Sequence, residues 1–176
     1  MYQHVILSIM LVSPLAAQTP ATTKPAPSTA KPAADTQKPG TDKPAASAKG
    51  VRTVEIIGTE DMKFSLATIT AKPGEQLRVR LVVKGTMPKV AMAHNFVLLN
   101  KGASQVDFVS AAVMASATAY IPEAKKADVV ATTALAGAGE TVEVVFKVPA
   151  AAGDYPYLCS FPGHFQAGMR GTLTVK

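Results

Sequence analysis

Cys159, His164 and Met169 stand at five-residue intervals in "YLCSFPGHFQAGM", residues 157–169. Cys159 is the only cysteine of the 176-residue chain. Of the three histidines, His4 falls in an apolar N-terminal run, which leaves His94 and His164. Two imidazoles, a thiolate and a thioether are soft or borderline donors. Arranged with the imidazoles and thiolate in a trigonal plane and the thioether further off on the axis, they are what a copper electron-transfer centre needs. Cys159 ends one β-prone segment and Met169 precedes the next, so the loop between them can fold His164 back beside the thiol. His94 opens a distant β-prone segment and would tie the two ends of a core together.

Other readings of the same residues stay open at this point. A lone buried cysteine is usually inert packing, a lone histidine a satisfied polar group, and Met169 a core plug. Zinc also takes Cys and His, but structural zinc uses four ligands with short paired spacings, and only three Cys/His candidates exist here. Catalytic zinc needs an open position and a general base, and "SFPGHFQAG" supplies no carboxylate. A Cys159–His164 nucleophile pair is the enzyme reading, with no orienting acid or oxyanion donor signalled. A multicopper enzyme would need more histidines than the chain contains. One cysteine also permits no intrachain disulfide, and a lone thiol in an oxidising compartment tends to react unless buried or bound to metal.

The elements that must position these residues read as strands. "VRTVEII" sets Val51, Thr53, Glu55 and Ile57 opposite Arg52, Val54 and Ile56, and "SLATITA" is a second short run. "KPGE" turns the chain into "QLRVRLVVKG", where Leu77, Val79, Leu81 and Val83 share one face. "HNFVLLN" follows, then "TVEVVFKVP", "DYPYLCS" and "RGTLTVK". Residues 103–127 break the rhythm: they are Ala-rich, with Val106, Val109, Val113 and Met114 at helical spacing, which predicts one or two short helices. Short strands with Gly/Pro turns and a single helical insertion define an all-β, antiparallel β-sandwich.

Composition divides the chain into three. Residues 1–17 carry no charged side chain besides histidine and contain "VILSIMLVSPLAA", too short and interrupted to span a bilayer but suited to the core of a secretory signal peptide. Residues 18–50 are Ala, Pro, Thr and Lys with almost nothing large to bury, an expected disordered tether that would hold a domain away from a membrane or other surface. Residues 51–176 are long enough for one buried core. Of the formal charge of +6, the tether holds five Lys against two Asp, and the domain thirteen Lys plus Arg against ten Asp plus Glu. A domain surplus of about three, with no basic run longer than two, is no nucleic-acid footprint.

At this point "DMKFS", "MPKVAMAHNFVL", "TTALAGAGETVEVVFKV" and "YLCSFPGHFQAGMRGTLTVK" resemble, in that order, the sequence blocks of the azurin and auracyanin blue-copper carriers, the cupredoxin family, over most of 51–176. The resemblance implies a Greek-key sandwich holding one copper, with His94, Cys159 and His164 as equatorial ligands and Met169 as the weak axial one. It implies a non-enzymatic, monomeric, periplasmic or otherwise exported carrier. Electrons would pass to and from redox proteins such as c-type cytochromes or membrane respiratory or photosynthetic complexes. Copper carriage or buffering is the second expectation, since Met87, Met92 and His94 could pass metal on. Asn95 and Ser160 match positions that tie the ligand loop to the neighbouring strand, and the Phe161 amide would donate toward the thiolate. The four residues between His164 and Met169 resemble the auracyanin spacing, azurins usually having three. Ala93 replaces a common Gly, Phe96 replaces a buried tryptophan, and the family's small disulfide is missing.

Overall fold

The structure is a computed structural model and describes residues 50–176. The expected signal peptide, and all of the expected tether except Gly50, lie outside the described residues.

Among the described residues, nine strands form two sheets. The first has the order β2-β1-β4-β7, built from Lys63–Phe64, Val51–Thr59, Gln76–Lys84 and Thr141–Lys147. The second has the order β3-β9-β8-β5-β6, built from Thr68–Ala71, Arg170–Val175, Gly153–Leu158, Val97–Leu99 and Val129–Thr132. The alternation in "QLRVRLVVK" is realised in β4, where Leu77, Val79, Leu81 and Val83 are buried. They meet Ile56, Phe96, Leu98, Phe146, Tyr157 and Leu173 in the core between the sheets.

The expected sandwich is present, but it is mixed rather than wholly antiparallel. β1 runs parallel to β4, and β3 parallel to β9. The chain leaves the first sheet after β2, adds β3 to the second, and returns as β4. A crossover of that kind lets two strands in one sheet run the same way without a hairpin between them. Two strands lay beneath the resolution of the sequence pattern: β2 is two residues long, and β6 follows directly on a 3₁₀ turn over Glu123–Asp128.

The helical insertion is α1, Gln105–Ala112, with a 3₁₀ turn at Ser116–Thr118 after it. Ser104 starts α1 by accepting a hydrogen bond from the Asp107 amide at 3.2 Å, an N-cap. The expected stripe is corrected. Val106, Val113 and Met114 face outward at 62, 51 and 88% exposure, whereas Phe108, Val109 and Ala112 are buried. Phe108 has the most area to hide, and the face it defines at i, i+1 and i+4 wins. That face packs with Val97, Leu99, Leu158 and Phe165 in a second cluster. This cluster explains why β5 is buried on both sides, Leu98 lying in the first cluster and Val97 and Leu99 in the second.

Candidate metal centre

Two segments deliver the candidate donors. β8 and β9 are antiparallel neighbours with Leu158 opposite Arg170, so residues 159–169 form the loop at their end. The loop is closed from within: the Cys159 amide donates to the Met169 carbonyl at 3.0 Å, and the Met169 amide to the His164 carbonyl at 2.9 Å. A turn brings His164 back, its amide donating to the Phe161 carbonyl at 3.1 Å, with Gly163 at φ 86°. That φ is the left-handed region where a glycine costs little. Phe165, buried in the α1 cluster, pins the loop from the other side. Its ring also carries the Arg170 guanidinium 4.9 Å from the centroid.

His94 arrives from the link between β4 and β5. It lies three residues ahead of β5 rather than within it, and is fixed by a bridge to Ala136. The two residues exchange amide-to-carbonyl hydrogen bonds of 2.8 Å.

Here the ligand atoms of His94, Cys159 and His164 all lie within 4.8 Å of one another. The His94 and His164 Nδ1 atoms are 3.1 Å apart, and Cys159 Sγ is 3.5 Å from His164 Nδ1. Exposure is 0% for His94, Cys159 and Met169 and 2% for His164. Met169 reaches the same place: a Cβ built on Gly58 of β1 would lie 3.1 Å from Met169 Cε and 3.3 Å from His94 Cδ2. All four residues named from the sequence are therefore brought together.

The surrounding hydrogen bonds hold them there. Asn95 Nδ2 donates to Ser160 Oγ at 2.9 Å, and the Ser160 amide donates to Asn95 Oδ1 at 2.9 Å. Burial pushes the Cys159 thiol up to about 11, against hydrogen bonds from the Asn95 and Phe161 amides that favour the thiolate. The Phe161 donor was expected and the Asn95 amide was not. Burial lowers His94, and burial with the adjacent His94 brings His164 down to about 4. Both imidazoles are thus neutral at pH 7, the state in which they bind metals.

The donor set fits a soft or borderline cation. Two neutral imidazoles facing each other through Nδ1 can share only one proton, and the remaining lone pairs and the sulfur converge on one point. His94 Nε2 is buried without a hydrogen-bond partner among the described residues. Among these residues no carboxylate joins the cluster, which disfavours hard cations.

A buried Cys/His₂ cluster with an adjacent thioether, set at one end of a two-sheet sandwich, defines the class of mononuclear blue-copper proteins. The comparisons agree. Residues 51–176 match the copper binding proteins of the plastocyanin/azurin family. Azurin-1 of Alcaligenes xylosoxydans xylosoxydans is 40% identical over 126 residues, 70% of this chain and 96% of the relative. Auracyanin-B of Chloroflexus aurantiacus is 35% identical over 126 residues, 70% of this chain but 52% of the relative, so the chain spans about half its length. Among solved structures, auracyanin A, a "blue" copper protein of Chloroflexus aurantiacus, superposes with a TM-score of 0.64 at 33% identity. That match covers 72% of this chain and all of the other. The chain belongs to the plastocyanin/azurin family, and its cofactor is copper.

Proposed function

We propose that the protein is a one-electron carrier in which His94, Cys159, His164 and Met169 would hold the copper. The observation that carries the reading is the convergence of three buried ligand atoms within 4.8 Å, contributed by the only cysteine and by two histidines 70 residues apart in sequence. Bound copper supplies reversible exchange of one electron between Cu(I) and Cu(II).

The residues around it supply constancy. The Asn95–Ser160 pair and the loop's internal hydrogen bonds hold the donors in one geometry, so little has to move between oxidation states. Complete burial of Cys159 keeps water from the sulfur, and two backbone amides offset part of the cost of a buried thiolate. The Phe161 ring lies against His164, 4.8 Å between centroids, and with exposed Met87 and Ala91 and half-buried Met92 it would form an apolar face over this histidine. A small apolar surface of that kind suits brief docking of a redox partner, such as a c-type cytochrome or a membrane respiratory or photosynthetic complex. The carrier acts as a monomer in the periplasm or another exported location, residues 1–17 serving as signal peptide and 18–50 as a tether to a membrane or other surface.

Adding Cu(II) to the purified metal-free protein should give an intense blue thiolate-to-copper absorption that Cys159→Ser abolishes. A colourless Cu(II) complex of the unaltered chain would overturn the proposal. Copper carriage is the second reading, motivated by Met87 and Met92 near His94 in sequence. Voltammetry separates the two: reversible cycling without metal loss supports the electron carrier, and release of copper on reduction supports the metal carrier.

A further inference from the structure

The hairpin of β1 and β2 contributes no ligand, yet Glu60 in its turn and Lys63 at the start of β2 reach the two loops that lead into the ligands. Glu60 Oε1 accepts from the Thr86 amide at 2.5 Å and the Met87 amide at 2.6 Å, with Thr86 Oγ1 at 3.4 Å. Two consecutive backbone amides aimed at one oxygen form an anion-binding nest, here filled by the protein's own carboxylate. The fit is close, since a Cβ on Gly85 would fall 2.6 Å from that oxygen. The loop so gripped runs from Gly85 to Ala93 and delivers His94.

Three residues further on, Lys63 Nζ donates to the Ala167 carbonyl. A Cβ on Gly168 would lie 2.6 Å from this ammonium. The loop gripped here is the one between His164 and Met169. The turn itself is rigid: the Met62 amide donates to the Thr59 carbonyl at 2.9 Å, and Ser65 is bonded to Ile57 through both backbone and side chain, each at 2.9 Å. A Cβ built on Gly58, at the base of this hairpin, would lie 3.1 Å from Met169 Cε and 3.3 Å from His94 Cδ2.

We propose that the Glu60–Lys63 turn is a two-handed clamp that positions the copper site, the carboxylate fixing the approach to His94 and the ammonium fixing the approach to Met169. The inference rests on the copper-ligand assignment above, and both are positioning residues. Charge-assisted hydrogen bonds are the stronger kind, and here each spans from one hairpin to a ligand-bearing loop, adding to the Lys89–Glu140 ion pair on the first loop and to the burial of Phe165 on the second.

The test uses the full chain with Glu60→Ala, the milder Glu60→Gln, Lys63→Met and the charge-preserving Lys63→Arg. In the metal-free protein, Glu60→Ala should speed backbone hydrogen exchange at Thr86 and Met87 by about tenfold or more, and Lys63→Met should do the same across 166–169, with β7 unchanged. Glu60→Gln, which keeps an acceptor oxygen but not its charge, should fall between. After Cu(II) loading, Glu60→Ala and Lys63→Met should each shift the ratio of the blue absorption bands and the midpoint potential, and Lys63→Arg should restore both. Unchanged exchange in these two loops, or unchanged bands and potential, overturns the clamp. If the unaltered chain binds Cu(II) without turning blue, the electron-carrier reading fails, and the exchange measurements still decide whether the turn holds the loops.

Discussion

Asn95 and Ser160 hold each other through both backbone and side chain: the Ser160 amide donates to Asn95 Oδ1, and Asn95 Nδ2 donates to Ser160 Oγ, each at 2.9 Å. The residues follow His94 and Cys159 directly, so this one pair ties the distant histidine to the ligand loop. Both are buried, which makes the pair costly to break from one side only.

Asn95→Ala should therefore cost about 1–3 kcal/mol of stability in the metal-free protein, because it strands the buried Ser160 amide. Ser160→Ala should cost less, since the Asn95 oxygen keeps its backbone donor. Chemical denaturation of the two variants checks the order, and equal losses would contradict it.

Gly58→Ala should leave the fold intact and disturb the site. Its new methyl would sit 3.1 Å from Met169 Cε and 3.3 Å from His94 Cδ2, closer than ordinary contact. The flexible thioether arm is the side that can yield. The expected outcome is an altered blue spectrum and midpoint potential with a thermal midpoint near that of the parent. A spectrum identical to the parent's would show that Met169 lies outside the copper's reach.

Ala119 and Tyr120 both have left-handed backbone, at φ 54° and 62°. This bend aims the Ala119 carbonyl at Asn95 Nδ2, 3.3 Å away, and lets Tyr120 meet the Phe161 ring edge-on. A left-handed alanine is strained by about 1–2 kcal/mol, and glycine recovers that at an entropic cost of roughly 0.5–1 kcal/mol. Ala119→Gly should consequently stabilise the protein by up to about 1 kcal/mol, measured by denaturation. A loss of stability would contradict the assignment of strain.

The metal-free protein should be most stable between about pH 6.5 and 9. Burial and neighbouring His94 depress His164 from its ordinary 6.5 to about 4, so the unfolded chain binds more protons across that interval. Stability is then full above 6.5 and lost as pH falls toward 4. Burial raises Cys159 from 9.0 to about 11, so its contribution is full below 9 and lost as pH rises toward 11. Thermal midpoints across pH check both limbs, and His164→Gln should flatten the acid one. Copper binding should remove the alkaline limb, because the bound sulfur is already deprotonated.

The donors were legible because their types are scarce: one cysteine and two remaining histidines leave little choice. The framing strands were equally legible wherever one face is buried and the other wet, as in β4. Other site residues were not. Glu60, Lys63, Gly58 and Phe165 are common types in unremarkable stretches, and nothing local distinguishes a carboxylate that fills a nest from one that faces water. Phe108 and Phe165 carried a signal that could have been used. Each is a large aromatic amid small or polar residues, and weighting by size rather than counting apolar positions would have chosen the correct face of α1.

By itself, the sequence determines the chemical identity of the donors, the two-residue alternation of the sandwich and the short loop that must hold three of the four candidates. Only the tertiary structure decides that His94 and His164, 70 residues apart, meet at 3.1 Å. It also decides that a hairpin belonging to neither ligand segment grips both. The reason is physical: period and composition report which face of an element is buried, but not what it is buried against. Contacts between loops depend on strand crossovers and register, and those emerge only when both sheets close over a common core.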